Sequence, residues 1–370
     1  MSTVIAMAEA RDEAAALLET LMAVPVGRRH RLLDKPELQR FDLVELLLEE
    51  SQRAQLPDPS RAEELAALAA ILSERVRSPV EPARSAHARA LCLEGNACRL
   101  QGEMERADSP LSYAHFFVET VADRAVYSRT VGLLRWEQGR LDEALALLRH
   151  ASRLFAEDQL GLEHGVCLLL LGLASAEWEG PAAALKPLLH GWAAMEPAAH
   201  PWLSVRAGLT LSGCLAEEGQ AEPARATLGD AVGLYPLLRD PGEVLRAFRL
   251  EARAKARLGR LDEAENLLEG LRRKLLEERS SLPELALASL ELGFVLGATG
   301  RRERIEALAR EIEERFEPED GRDMAAGVLR GLIGTLVEGH SPAVSVWSWT
   351  SDLLRLLRFH DVRIEPLPFA

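Results

Sequence analysis

The chain has 370 residues, more than twice the ~150 of one compact domain, so it holds either several domains or one extended array. Hydrophobic residues make up 48% and aromatics only 5%, a composition rich in Ala, Leu, Glu and Arg that predicts helices and leaves little material for sheets. Basic residues number 44 against 58 acidic ones, and the net charge of −14 argues against nucleic acid or anionic lipid as the partner.

The opening MSTVIAMAEARDEAAALLETLM places Glu9, Arg11, Asp12 and Glu13 where a signal peptide needs an apolar core. Residues 3–24 read as an amphipathic helix, and the basic loop GRRHRLLDKPE completes an N-terminal cap over 1–40. The longest apolar stretch, VCLLLLGLASA, is shorter than the roughly 20 residues that cross a bilayer, so a cytoplasmic protein is expected. Cys92, Cys98, Cys167 and Cys214 form no C-x-x-C pair and read as small buried hydrophobes in a reducing compartment.

From residue 41 the chain becomes periodic. A first unit at about 41–77 has the helix FDLVELLLEESQRAQ, the turn LPDP and a second helix opened by Pro59, where the missing N–H costs nothing. A signature of Gly, short polar turn and Ala then recurs as GEMERA, GRLDEA, GPAAA, GQAEPA, GRLDEA and the variant GRRERI, and Gly339 continues it. Successive glycines, from Gly102 to Gly339, are 37, 41, 39, 40, 41 and 39 residues apart. Each ends one amphipathic helix, because glycine enters the left-handed cap conformation without a Cβ clash. Asp142 and Asp262, with Glu143 and Glu263, then place negative charge at the start of the next helix. Asp108-Ser109-Pro110 is expected to interrupt the second helix of its unit. Residues 322–338 and 342–359 read as an eighth, degenerate pair, with a C-terminal cap and tail over 341–370. No such helix buries its apolar face alone, so stacked neighbours must complete the core.

These residues resemble tetratricopeptide repeats. Gly132, Gly139, Ala144 and Ala151 stand at the spacing of that family's small positions, as do Leu171, Gly172 and Ala184; Gly219, Ala224, Ala231 and Pro236; and Gly95, Gly102, Ala107 and Ala114. The period near 40 exceeds the family's typical 34, and its Trp and Tyr positions are mostly vacant, which resembles the divergent repeats of bacterial signalling proteins. The resemblance covers roughly 41–340 and implies an all-α, right-handed superhelix of about eight antiparallel helix pairs, with a concave groove that takes peptides.

No metal-binding, phosphate-binding or nucleophile motif is found, and the nine histidines lack ligand spacing, so neither a catalytic site nor a cofactor is expected. One constellation stands out. In LRAFRLEARAKARLG, Arg246, Arg249, Arg253 and Arg257 share a helix face at steps of 3, 4 and 4. The resemblance places such first-helix positions in the groove, where four guanidiniums would receive an anion. Arg89, Asn96 and Arg99 resemble the basic and Asn combination with which some family members hold a peptide carboxylate. Trp136 either stacks on a ligand or fills the core, and the arginine stripe is either a receptor or a solvated face.

The expected function is a non-enzymatic scaffold or regulatory adaptor holding a partner's acidic segment or C-terminal carboxylate. The alternative is a sensory module that binds a small peptide or metabolite and regulates a separate effector, such as a transcriptional regulator or protease. On the groove reading, Arg249 and Arg253 should be solvent-accessible.

Overall fold

The computed structural model describes residues 2–76, 80–277 and 282–315, whose contacts group into two compact units, 2–160 and 161–315. Among the described residues there are sixteen α-helices, two short 3-10 turns and no strand. Gly339, the eighth pair and the C-terminal cap lie outside them.

The first unit begins with α1 (Ser2–Met22) and α2 (Val26–Leu32). The segment read as a basic loop thus contains two turns of helix after Pro25; Arg29 there anchors on the Met22 and Val24 carbonyls and on Glu64. Three pairs follow: α3 (Phe41–Ala54) with α4 (Pro59–Arg75), α5 (Val80–Leu100) with α6 (Met104–Ala114), and α7 (Val121–Glu137) with α8 (Leu141–Glu157). As expected, Pro59 occupies the first turn of α4, and Asp58 caps it by accepting from the Arg61 N–H at 3.0 Å. The expected interruption at Asp108-Ser109-Pro110 does not occur. α6 runs through Pro110, because a helix of 11 residues gives up a single hydrogen bond there while Ala107, Leu111 and Ala114 stay buried on one stripe.

The second unit holds four pairs: α9 (Gly161–Trp178) with α10 (Pro181–Ala194), α11 (Pro201–Glu217) with α12 (Ala221–Gly233), α13 (Pro241–Arg257) with α14 (Leu261–Glu277), and α15 (Leu282–Ala298) with α16 (Arg302–Arg315).

The period comes from the turn. Gly102, Gly139, Gly180, Gly219, Gly259 and Gly300 all have φ between 70° and 98°, a region that costs an L-residue about 1–2 kcal/mol. At Gly139 and Gly259 the chain reverses and enters the identical hexapeptide GRLDEA. In both copies the arginine at the turn clasps the glutamate three positions on, Arg140 with Glu143 and Arg260 with Glu263, through Nε and Nη2 at 2.6–2.8 Å.

Small residues set how closely the two helices of a pair approach. A Cβ on Gly95, Gly132 or Gly172 would meet Leu111, Leu148 or Leu188, each sixteen positions further on, at 2.6–3.2 Å. At corresponding points in α3 and α11, Ser51 and Ser212 donate to the carbonyls of Ala62 and Ala224 at 2.8 and 2.7 Å. The turn alanines Ala107, Ala144, Ala184, Ala224 and Ala264 have no exposed surface. Leucine at Ala144 or Ala264 should therefore overpack the crossing and cost about 1–3 kcal/mol in urea denaturation. Unchanged midpoints in both variants would show that the register is wrong.

Candidate partner-binding face

The arginine stripe lies on α13, a first helix flanked by the first helices α11 and α15. Seven of its 17 residues are Ala, Leu or Val, and Leu245, Ala247, Ala252 and Ala254 are buried, which holds the arginines against both neighbours. The sequence reading expected Arg249 and Arg253 to be solvent-accessible; this is corrected, since their side chains are only 8% and 9% exposed.

The cause is charge pairing across the helix stack. Glu291 of α15 uses one oxygen, Oε1, to accept from Arg249 Nη1 at 3.1 Å, from Arg253 Nε at 3.2 Å and from Arg253 Nη2. On the other side, Arg257 Nε lies 2.6 Å from Glu217 Oε1 of α11. Burial pushes Arg257 down to about 10, and Glu217 opposes that shift. Arg246, at the helix start, is half-buried between Asp240 at 3.4 Å and Glu284 at 3.8 Å, and its guanidinium lies 5.4 Å from the Trp202 ring centre.

A cleft of about 340 Å³ opens at the end of this stripe. Arg253, Arg257 and Glu217 supply its polar groups, and Ala256, Phe294 and Val295 are among its apolar walls. The arrangement offers planar donors next to a greasy wall, with internal carboxylates already holding much of the charge.

The second predicted cluster is placed differently. Arg89 on α5 is partly exposed and pairs with Glu45 at 2.6 Å. Asn96 and Arg99 are buried. Asn96 Nδ2 donates to Gln55 Oε1 at 3.0 Å, its Oδ1 accepts from Arg99 Nε at 2.9 Å, and Arg99 Nη1 donates to Glu137 of α7. These two side chains fasten α3, α5 and α7 together. Trp136 has no exposed surface and belongs to the core.

Two features were not foreseen from sequence. Ser73 Oγ lies 2.9 Å from His87 Nδ1, the distance of a nucleophile and its base, but both are buried and both contact the Ala70 carbonyl. Burial also lowers the His87 pKa, and Phe117 stacks edge-on at 4.4 Å. The pair reads as a helix–helix fastening. Secondly, Phe116 is 71% exposed, and with Tyr113 it rims a groove of about 420 Å³ between α5 and α6. A helical pattern marks these rings as lying beyond the apolar stripe, but not what they face.

The architecture is tetratricopeptide-like: paired helices, joined in six of the seven described pairs by a glycine of positive φ, with a buried alanine after the turn in all but the last. Comparison with known proteins agrees on the fold. The chain is similar to the crystal structure of a Rap protein complexed with competence and sporulation factor, at TM-score 0.58 and 16% identity over 86% of this chain and 87% of that one. It is likewise similar to the apo form of RapI, at TM-score 0.55 and 13% identity over 80% and 83%. No family model and no curated protein matches the sequence. No helix among the described residues is long and apolar enough to cross a membrane.

With Trp136 in the core, Trp136→Ala should remove about 3–5 kcal/mol of stability. A urea midpoint equal to that of the unsubstituted chain would contradict the placement.

Proposed function

We propose that the protein is a regulatory adaptor that holds a partner's acidic segment, ending in a free carboxylate, against the first-helix face of α11, α13 and α15. The observation that carries this reading is the cleft where Arg253 and Arg257 meet Phe294 and Val295, since a carboxylate flanked by apolar side chains would satisfy both surfaces. The similar fold of a Rap protein solved with a bound factor supports the assignment of this architecture to ligand capture. Arg246 extends the face toward the start of α13, and Arg89 offers a second cationic position in the other unit. A segment reaching the arginines competes with Glu217 and Glu291, so binding exchanges an internal carboxylate for an external one.

The cleft volume also falls within the ~300–1,000 Å³ typical of small-molecule sites, which favours a short peptide or metabolite as the second reading.

Burial changes the choice of variant. Reversing both Arg249 and Arg253 to Glu would crowd two new carboxylates against Glu291 and damage the fold. Arg253→Lys keeps the charge and loses the planar fork. Fluorescence anisotropy with labelled Glu-rich peptides, as free acids and as C-terminal amides, tests the proposal. The free acid should bind, amidation and Arg253→Lys should each weaken binding at least tenfold with the chain still folded at the assay temperature, and added salt should weaken it further. Equal affinity for acid and amide, or full affinity in Arg253→Lys, would refute it. Saturation by a capped tripeptide as tight as by longer segments would favour the small-ligand reading.

A further inference from the structure

Three acidic side chains converge on a buried thiol in the first unit. Glu63 comes from α4, Glu94 and Cys98 from successive turns of α5, and Glu103 stands at the start of α6. One donor atom each from Glu63, Cys98 and Glu103 lies within 4.8 Å of the others.

Cys98 is 3% exposed, and its sulfur makes no hydrogen bond among the described residues. Aimed at two carboxylates, the thiol is the reverse of what hydrophobic packing alone would select. Burial, then Glu63, Glu94 and Glu103, push it up to about 12, and Arg106 opposes them. Glu94 is itself raised by burial and by Glu63. Three carboxylates facing one guanidinium leave an excess of negative charge around a soft donor.

The carboxylates are also oriented. Gln101 Nε2 donates to Glu63 Oε2 at 2.6 Å, and the Ser60 hydroxyl donates to Gln101 Oε1 at 2.9 Å. Outer partners of this kind fix the ligands of metal sites. Glu103, though at the N-cap of α6, makes no side-chain capping bond, so its carboxylate is turned to the cluster. Arg106 bridges Glu63 and Glu103 from outside, and its side chain is 58% exposed. An exposed guanidinium exchanges its carboxylates for water readily, so Arg106 swings away at little cost.

We propose that Glu63, Cys98 and Glu103 bind a thiophilic divalent cation, Zn²⁺ by the character of the donors. One sulfur and two carboxylate oxygens are a three-ligand set with a fourth position open to water. Tetrahedral bonds of about 2.0–2.3 Å place donors roughly 3.3–3.7 Å apart, so the glutamates close inward by about 1 Å. On binding, the Cys98 S–H bond breaks, the thiolate takes the metal, and the proton leaves to solvent. The carboxylates already face the cation, and the guanidinium that held them moves outward. Such a clip would tie α4, α5 and α6 together.

The test uses the full chain stripped with chelator and titrated with Zn²⁺ against a chromophoric competitor, then with Co²⁺ to read thiolate ligation as a near-ultraviolet charge-transfer band. One equivalent and a band are expected. Cys98→Ser should abolish the band and weaken Zn²⁺ binding at least 100-fold. Glu63→Gln, which spares the buried thiol and guards against a folding defect at Cys98, should weaken binding at least tenfold. Cys92→Ser, which alters a buried thiol on the same helix, should leave both readouts unchanged. Stoichiometric binding without a band, a band that survives Cys98→Ser, or unaltered affinity in Glu63→Gln overturns the proposal.

Discussion

A guanidinium withdrawn from water has to meet a carboxylate, and in this chain the carboxylate usually sits one repeat away. Arg99 with Glu137, Glu217 with Arg257, Glu291 with Arg253 and Glu311 with Arg272 are separated by 38 to 40 residues, and the buried amides Gln55 and Asn96 by 41, close to the 37–41 of the turn glycines. Apolar stripes bring the helices together without strong preference for one register. The buried polar pairs select it, since sliding a helix by one turn would leave Arg99 or Glu291 buried and unpaired, a loss of several kcal/mol.

This pairing also shapes what the candidate face can do. Were the arginines of α13 free in an open groove, the face would attract any anion. With Glu217 and Glu291 in place, a ligand bound as proposed would have to outcompete these internal partners through its carboxylate geometry and apolar neighbours. Such competition would raise selectivity and reduce raw affinity, because specificity is a difference between competing interactions. Glu291 holds Arg249 and Arg253 through a single oxygen and, on the proposed function, is the group a ligand would displace.

Legibility from sequence followed the range of each interaction. The turns were readable because Gly102, Gly139, Gly180, Gly219, Gly259 and Gly300 each meet a local need, a positive φ just before a helix start. The close helix crossings were readable at Gly95, Gly132 and Gly172 for the same reason: absence of a side chain is visible in the residue itself. The fate of the arginine stripe was not. The spacing of Arg246, Arg249, Arg253 and Arg257 gives a shared face but does not say that Glu217 and Glu291 arrive from the flanking helices to cover it. Pro110 misled for the opposite reason: a local rule against proline in helices lost to the burial of Ala107, Leu111 and Ala114. The cluster at Cys98 escaped because only Cys98 and Glu103 are near each other in sequence, five residues apart across a turn, while Glu63 arrives from α4, 35 residues earlier.

The coupling of Arg253 to Glu291 is therefore the interaction on which the helix register and the candidate face both depend. A double-mutant cycle with Arg253→Gln, Glu291→Gln and the pair, each followed by chemical denaturation, measures it directly. A coupling of about 1–3 kcal/mol is predicted, with the double variant less destabilised than the sum of the two single ones. Additivity within about 0.5 kcal/mol would mean that the two side chains do not hold each other.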